Sequence, residues 1–222
     1  MFNNFKKAFT MAEVLMVLGI IGVVAAITIP NLKDSADEQF YVAKAAKVYS
    51  EMETAFSRAT LKYGNSIDWN GIADSNIGTA TGTKMVKYLD VTDTCGTGAN
   101  ARCWQNDYTT NATVNAAYKL ALKDGTTLAF FNNCTLAQFK AANSNSLFVL
   151  MDLDGSAKGP NTIGIDQFYF FMLNNGTLNA GRWVASNTPN SNSYLAWVLK
   201  FGNQDYMRCA SSLSFIGNTS CK

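Results

Sequence analysis

The sequence predicts an α+β fold in which a long N-terminal α-helix, membrane half plus amphipathic half, packs on an antiparallel β-sheet. Three observations predict it. Residues 9–29 are an apolar run with a single charge, continued by helical spacing of apolar residues to residue 63, and beyond residue 126 short runs rich in aromatic, β-branched or Leu residues alternate with turns. The acids divide in the same way. All four Glu (Glu13, Glu38, Glu51, Glu53) precede residue 54, whereas every acid after residue 63 is Asp. Glu suits helix interiors and Asp suits turns and caps. The 222 residues suffice for a buried core.

The first element is the strongest signal. A short polar leader, residues 1–8, carries only Lys6 and Lys7 as charges, and residues 9–29 follow with the single charge Glu13. Twenty-one residues at ~1.5 Å rise make about 31 Å of helix, the thickness of a bilayer's hydrocarbon core. The lysine pair keeps the leader cytoplasmic and sends the remainder outward. Three readings fit: a plain anchor, a secretory signal cut after Ala26, or a leader cut before the apolar run so that the helix is retained. Glu13 favours the third. A carboxylate in a membrane helix costs roughly 2.5–3.5 kcal/mol and needs a cation, yet no Lys or Arg stands between Lys7 and Lys33. A new α-amino group at Phe9 would supply one.

These residues, KKA-FTMAEVLMVLGIIGVVAAITIP, closely resemble the N-terminus of type IV prepilins and type II secretion pseudopilins. The resemblance implies a prepilin peptidase cut after Ala8, which takes the small position that is usually Gly, and N-methylation of Phe9. It also places Glu13 and Thr10 in subunit register and assembly, and Pro30 at a helix kink. A pilin-like fold follows from it, with self-association into a helical homopolymer or mixed filament. The other partners it implies are the peptidase and an inner-membrane assembly platform. The precursor would sit in the bacterial inner membrane, and the product in a periplasmic or cell-surface filament. Gly19 and Gly22 offer a small face for close helix approach.

Residues 30–63 form the amphipathic half, with a stripe at Leu32, Ala36, Phe40, Ala43, Val48, Met52, Ala55, Phe56, Ala59 and Tyr63. Pro30 is expected to kink the helix or melt a short stretch, and Gly64 to cap it. The stripe should join residues 64–222 in one globular head. Within that head, 64–120 reads as irregular, with one weak helical segment at 84–89, and 121–222 reads as the antiparallel sheet. The expected strands are 126–131, 147–153, 167–173 and 194–201, with a hairpin turn at Asn174-Asn175-Gly176 and a returning strand at Thr177-Leu178. Phe168, Tyr169, Phe170, Phe171 and Trp197 read as core, and Trp104 and Trp183 as candidate exposed contacts.

The five Cys contain no CxxC pair, which excludes zinc-ribbon and thioredoxin chemistry. Cys95 and Cys103 flank a short insert and are expected to bridge in an oxidising periplasm. Of the remaining three, Cys209–Cys221 is favoured by proximity, with Cys134–Cys209 as the alternative and one thiol left odd. Asp152, Asp154 and Asp166 bracket a turn rich in Gly and Pro. They read as strand ends and caps, or as hard oxygen ligands for Ca²⁺; the EF-hand pattern is not met. The stretch resembles a D-x-(N/D)-G-x-x-G-P-N-x-x-G-x-D-x-F/Y pattern of bacterial pilin-like proteins.

With no His, the chain lacks Ser-His and Cys-His catalysis and most transition-metal sites, and no phosphate loop or nucleophile elbow is present. No catalysis and no resident cofactor other than a possible Ca²⁺ are expected. Eighteen bases against sixteen acids give no polyanion signature, so nucleic acid is not an expected partner. The expected function is a structural filament subunit. The alternatives are a pseudopilin of a type II secretion system, or a minor or tip pilin that binds DNA or a surface.

Overall fold

The computed structural model describes residues 9–65, 69, 77–97, 103–104, 117–132, 147–155, 157–173, 176–181 and 187–221. Ala8, the turn residues Asn174 and Asn175, Cys134 and Trp183 lie outside the described residues. The chain divides into two compact units, Met1–Phe40 and Tyr41–Lys222.

Helix α1, Met11–Tyr63, belongs to both units and runs through Pro30 without a break. The short melted stretch expected at Pro30 is not present: proline removes one i→i−4 hydrogen bond, and the flanking turns continue the helix. In the first unit the stretch Met11–Ile29 has a mean hydropathy of 2.5 and none of it is buried. It is long and apolar enough to cross a membrane. The helix ends where expected: Gly64 takes φ 77°, and its N–H donates to the Thr60 carbonyl at 2.9 Å.

In the second unit six strands form one antiparallel meander in the order β1 to β6. They are β1 (Val91–Gly96), β2 (Tyr118–Leu122), β3 (Thr127–Asn132), β4 (Leu147–Asp152), β5 (Gln167–Met172) and β6 (Leu178–Asn179). The expected strands in 126–173 are present, as is the returning strand at Leu178. Beyond them stand β1 and β2, in a region read from sequence as irregular. Their apolar residues are few and interrupted (Val91-Thr-Asp-Thr-Cys-Gly), and β1 is bulged, with register shifts between Val91 and Asp93 and between Thr94 and Gly96. Weak alternation on a bulged edge strand leaves little periodic signal.

Two further corrections concern helices. Residues Tyr194–Phe201, expected as a strand, form helix α3, closed by Gly202 at φ 69° with its N–H on the Val198 carbonyl. A short apolar run cannot be assigned by periodicity alone. Lys200 in the last turn and Gly202 just after it were the helix-stop signal. Residues Ile77–Met85 form helix α2, which begins in a Gly/Thr-rich stretch read as irregular, and a 3₁₀ turn at Val86–Tyr88 follows within the segment expected to be helical. The glycines have a packing reason. A Cβ on Gly78 would lie 2.4 Å from the Phe130 carbonyl oxygen, and one on Gly82 would lie 2.3 Å from the Tyr118 ring. At i, i+4 they make the flat face that seats α2 on β2 and β3.

The main core joins α1 to the inner face of the sheet. Ala45, Val48, Met52, Ala55, Phe56 and Ala59 bury against Leu120, Leu128, Phe130, Val149, Met151, Phe168 and Phe170, with Tyr49 edge-on to Phe170 at 5.8 Å. Each buried Phe contributes on the order of 2–3 kcal/mol. The predicted stripe holds from Val48 to Ala59. Leu32, Ala36, Phe40 and Ala43 are exposed instead, because the compact unit takes in α1 only from Tyr41 and the buried face starts at Ala45. Outside the sheet a second cluster gathers Trp104, Ala129, Phe131, Phe148, Leu150 and Phe171. Trp104, expected to be an exposed contact, is only 3% exposed, because the Cys95–Cys103 bridge sets it against this second face. A sheet buried on both faces explains why every residue of β4 is buried.

Gly78→Ala should lower the stability of the second unit by roughly 1–3 kcal/mol, since the added methyl meets backbone and cannot be relieved by a rotamer. Thr83→Ala, on the exposed side of α2, should change it by less than about 0.5 kcal/mol. Chemical denaturation of both variants measures the contrast.

Candidate functional sites

The first site is the start of α1. Thr10 and Glu13 close a capping box: the Thr10 backbone N–H and its hydroxyl both donate to Glu13 Oε2 at 2.8 Å, and the Glu13 N–H donates to Thr10 Oγ1 at 3.3 Å. The sequence reading sought only a cation for Glu13, whereas within the chain its carboxylate already has two donors from Thr10. The signal was available as Thr-x-x-Glu ahead of an apolar run. Phe9 is 87% exposed and, with Glu13, Val14, Val17 and Leu18, lines a shallow apolar groove.

The second site is the acidic cluster. The structure brings Asp152, Asp154 and Asp166 together, with one ligand oxygen from each within 4.8 Å of the others. Asp152 ends β4 and Asp166 directly precedes β5, so the β4–β5 register, in which Asp152 faces Gln167, delivers the pair. Their turn roles are also real. Asp152 Oδ1 accepts the Gly155 N–H at 2.9 Å, and Asp166 accepts the Asn161 and Thr162 N–H groups at 2.7 Å each.

Three further residues complete the site, and none was assigned to it from sequence. Gln167 is fully buried and donates from Nε2 to Asp152 Oδ2 at 2.7 Å. Tyr41, on α1, donates its hydroxyl to Asp154 Oδ2 at 3.2 Å. Tyr206 donates to the Gly164 carbonyl at 2.7 Å, stacks on Tyr194 at 4.1 Å, and so holds the loop before Asp166. These contacts span 15 to 113 positions of chain, beyond the reach of local pattern. The segment carrying Tyr206 is itself pinned. Cys209 and Cys221 lie at disulfide distance, Cα–Cα 5.9 Å, and Asp205 accepts from Arg208 and from the Cys221 N–H. Cys95 and Cys103 are likewise paired, at 5.6 Å. Both favoured pairs thus stand at disulfide distance.

Burial, then repulsion from Asp166 and Asp154, pushes the Asp152 carboxyl up to about 7, against the opposing hydrogen bonds from Gln167 and Gly155. Asp166 is raised too, chiefly by burial. The cluster therefore calls for positive charge, from a proton or from a cation. Two buried oxygens also lack a hydrogen-bond donor among the described residues, Asp154 Oδ1 and Gln167 Oε1.

The folded Asp152 value lies above the ordinary carboxylate value, so the folded chain keeps a proton that the unfolded chain releases. Stability from that proton is complete below about pH 4 and is lost as pH rises toward about 7. In chelator-treated buffer, detergent-solubilised protein should lose thermal stability across that window, and Asp152→Asn should flatten the loss. A wild-type profile that stays level there would remove the charge conflict assigned to Asp152.

No protein-family model matches the chain, and no curated protein or solved structure is significantly similar to it.

Proposed function

We propose that the chain is the structural subunit of a type IV pilus-like filament. It enters the inner membrane through its apolar helix, is cut after Ala8 and methylated at Phe9, and polymerises by bundling residues 9–29 of many copies. The observation that carries this reading is an apolar helix of membrane length, none of it buried within the chain, whose one carboxylate stands next to the cleavage-type motif. Such a surface must be covered by lipid or by other copies of itself. In a filament core of low dielectric, the Phe9 amine of an adjacent copy supplies the cation that Glu13 otherwise lacks. Thr10 holds that carboxylate until the neighbour arrives. No catalysis is assigned. A pseudopilin of a type II secretion system, or a minor or tip pilin that binds DNA or a surface, would use the same helix.

N-terminal analysis of the cellular protein should find methyl-Phe9. A mature start at Ile27 would establish a secretory signal instead. Glu13→Ala should leave insertion and cleavage intact and reduce sheared filament yield by about ten-fold or more; an unchanged yield would remove the role assigned to Glu13.

A second reading, favoured by the two donor-less oxygens, is that the acidic cluster binds Ca²⁺. Asp152, Asp154, Asp166 and the Gln167 amide oxygen would be the ligands, hard oxygens suited to that ion. Millimolar Ca²⁺ should then raise the thermal midpoint at pH 7 and remove most of its pH dependence, with Asp154→Asn abolishing the effect. Superimposable curves with and without calcium would rule out the site.

A further inference from the structure

The sequence of residues 64–222 carries bases and acids in near balance and no basic run, yet folding gathers a cationic cluster. Lys62, at the end of α1, and Lys84 and Lys87, from α2 and the 3₁₀ turn after it, place their ammonium groups 5.8, 5.7 and 6.0 Å from the Tyr63 ring centroid. Lys84 also donates to the Trp69 carbonyl at 2.7 Å, and Lys87 to the Tyr63 hydroxyl at 3.4 Å. Among the described residues none of the three forms a salt bridge, whereas Lys47, Lys123 and Arg208 each face a carboxylate. Lys62 and Lys87 are exposed, and Tyr63 is half-buried beneath them. Three like charges around one ring repel one another, and an anion from outside the chain would relieve that repulsion.

The same helix carries the opposite charge near its middle. Residues 31–40 hold Asp34, Asp37 and Glu38 against Lys33 alone, and Asp37 is exposed. No other stretch of ten residues in the sequence holds three acids. The amphipathic half of α1 is therefore acidic where it begins and basic where it ends, with Arg58 and Lys62 in its last two turns. Side-by-side copies in register would set like charge against like. A staggered arrangement brings the acidic stretch of one copy to the basic cluster of another. Helical polymers require such heterologous contacts, in which two different surfaces of each subunit meet.

We infer that the Lys62/Lys84/Lys87 cluster is a subunit-docking surface whose partner is the Asp34/Asp37/Glu38 stretch of a second copy of this chain. The contact selects the stagger between neighbours, because like-charge juxtaposition penalises other registers. The inference rests on the filament reading and adds to it a second, water-exposed determinant of register. The acidic stretch precedes Lys62 in the sequence by more than twenty residues, so the contact pairs different stretches of two copies.

The test is a charge swap in the full-length protein, with sheared filament yield as readout. Lys62→Glu with Lys87→Glu should lower the yield by about ten-fold, without changing membrane insertion or the thermal midpoint of the unassembled protein. Adding Asp37→Lys and Glu38→Lys to the same chain should restore the yield to within about three-fold of wild type. Lys62→Arg with Lys87→Arg should assemble normally, which separates charge from packing. Full yield from the Glu variant, or no restoration by the swap, overturns the inference while leaving the filament reading standing. If the Glu variant assembles normally but loses retention of single-stranded DNA shown by wild-type filaments, the patch serves a nucleic acid and the docking contact is likewise overturned. Absence of filaments from the wild-type chain refutes the filament reading itself.

Discussion

The second unit depends on burial of one α1 stripe against the inner face of the sheet. Val48, Met52 and Phe56 supply the helix side, and Phe130, Phe168 and Phe170 the sheet side. This contact settles which face of each strand points inward, and alternation then commits Phe131, Phe148 and Phe171 to the outer face. It also carries Tyr41 to the acidic cluster, so the carboxylates between β4 and β5 are attached to the helix as well as to the sheet. Lys44 and Lys47 add to the same seam by reaching the Asp124 carbonyl and carboxylate on the β2–β3 turn. Burial would raise Asp124, but the Thr126 backbone N–H and hydroxyl, with Lys44 and Lys47, hold its carboxyl below the usual range.

The two candidate sites solve one electrostatic problem in different ways. Glu13 stands in an apolar segment with no basic side chain nearby in sequence, and it is satisfied locally by the helix N-cap through Thr10. The three Asp are buried in a polar loop and share backbone donors, and these do not fully balance their charge. In the first case local donors from Thr10 meet the carboxylate, and in the second the remaining demand is for a proton or a small ion. The lysines around Tyr63 present the converse, a surplus of positive charge near the end of the same helix.

Legibility differed by element for physical reasons. The Val48 to Ala59 stripe, the strands in 126–173 and the Gly64 cap each have a local cause: spacing of apolar residues, β-branched and aromatic runs, a glycine at positive φ. The reading of 194–201 as a strand failed because Tyr-Leu-Ala-Trp-Val-Leu-Lys-Phe is apolar throughout, which leaves only the end signals to distinguish helix from strand. Gly78 and Gly82 lie in a stretch that reads as irregular, since glycine disfavours helices; their use as a flat helix face becomes visible only when β2 and β3 are set beside them. Of the acidic cluster, the three Asp were legible as a pattern, but Gln167, Tyr41 and Tyr206 were not.

By itself the sequence determined the membrane-length apolar helix, the lone Glu13 within it and the α+β division of the chain, and it narrowed the cysteine pairings to two sets. Those depend on neighbours a few residues apart, on composition, or on short loops that proximity closes. Tertiary structure alone decided the burial of Trp104, the bracing of Asp152 and Asp154 by Gln167 and Tyr41, and the gathering of Lys62, Lys84 and Lys87 around one ring. Those depend on strand register and on where α1 meets the sheet. Register comes from many weak contacts acting at once, and no single stretch of chain encodes it.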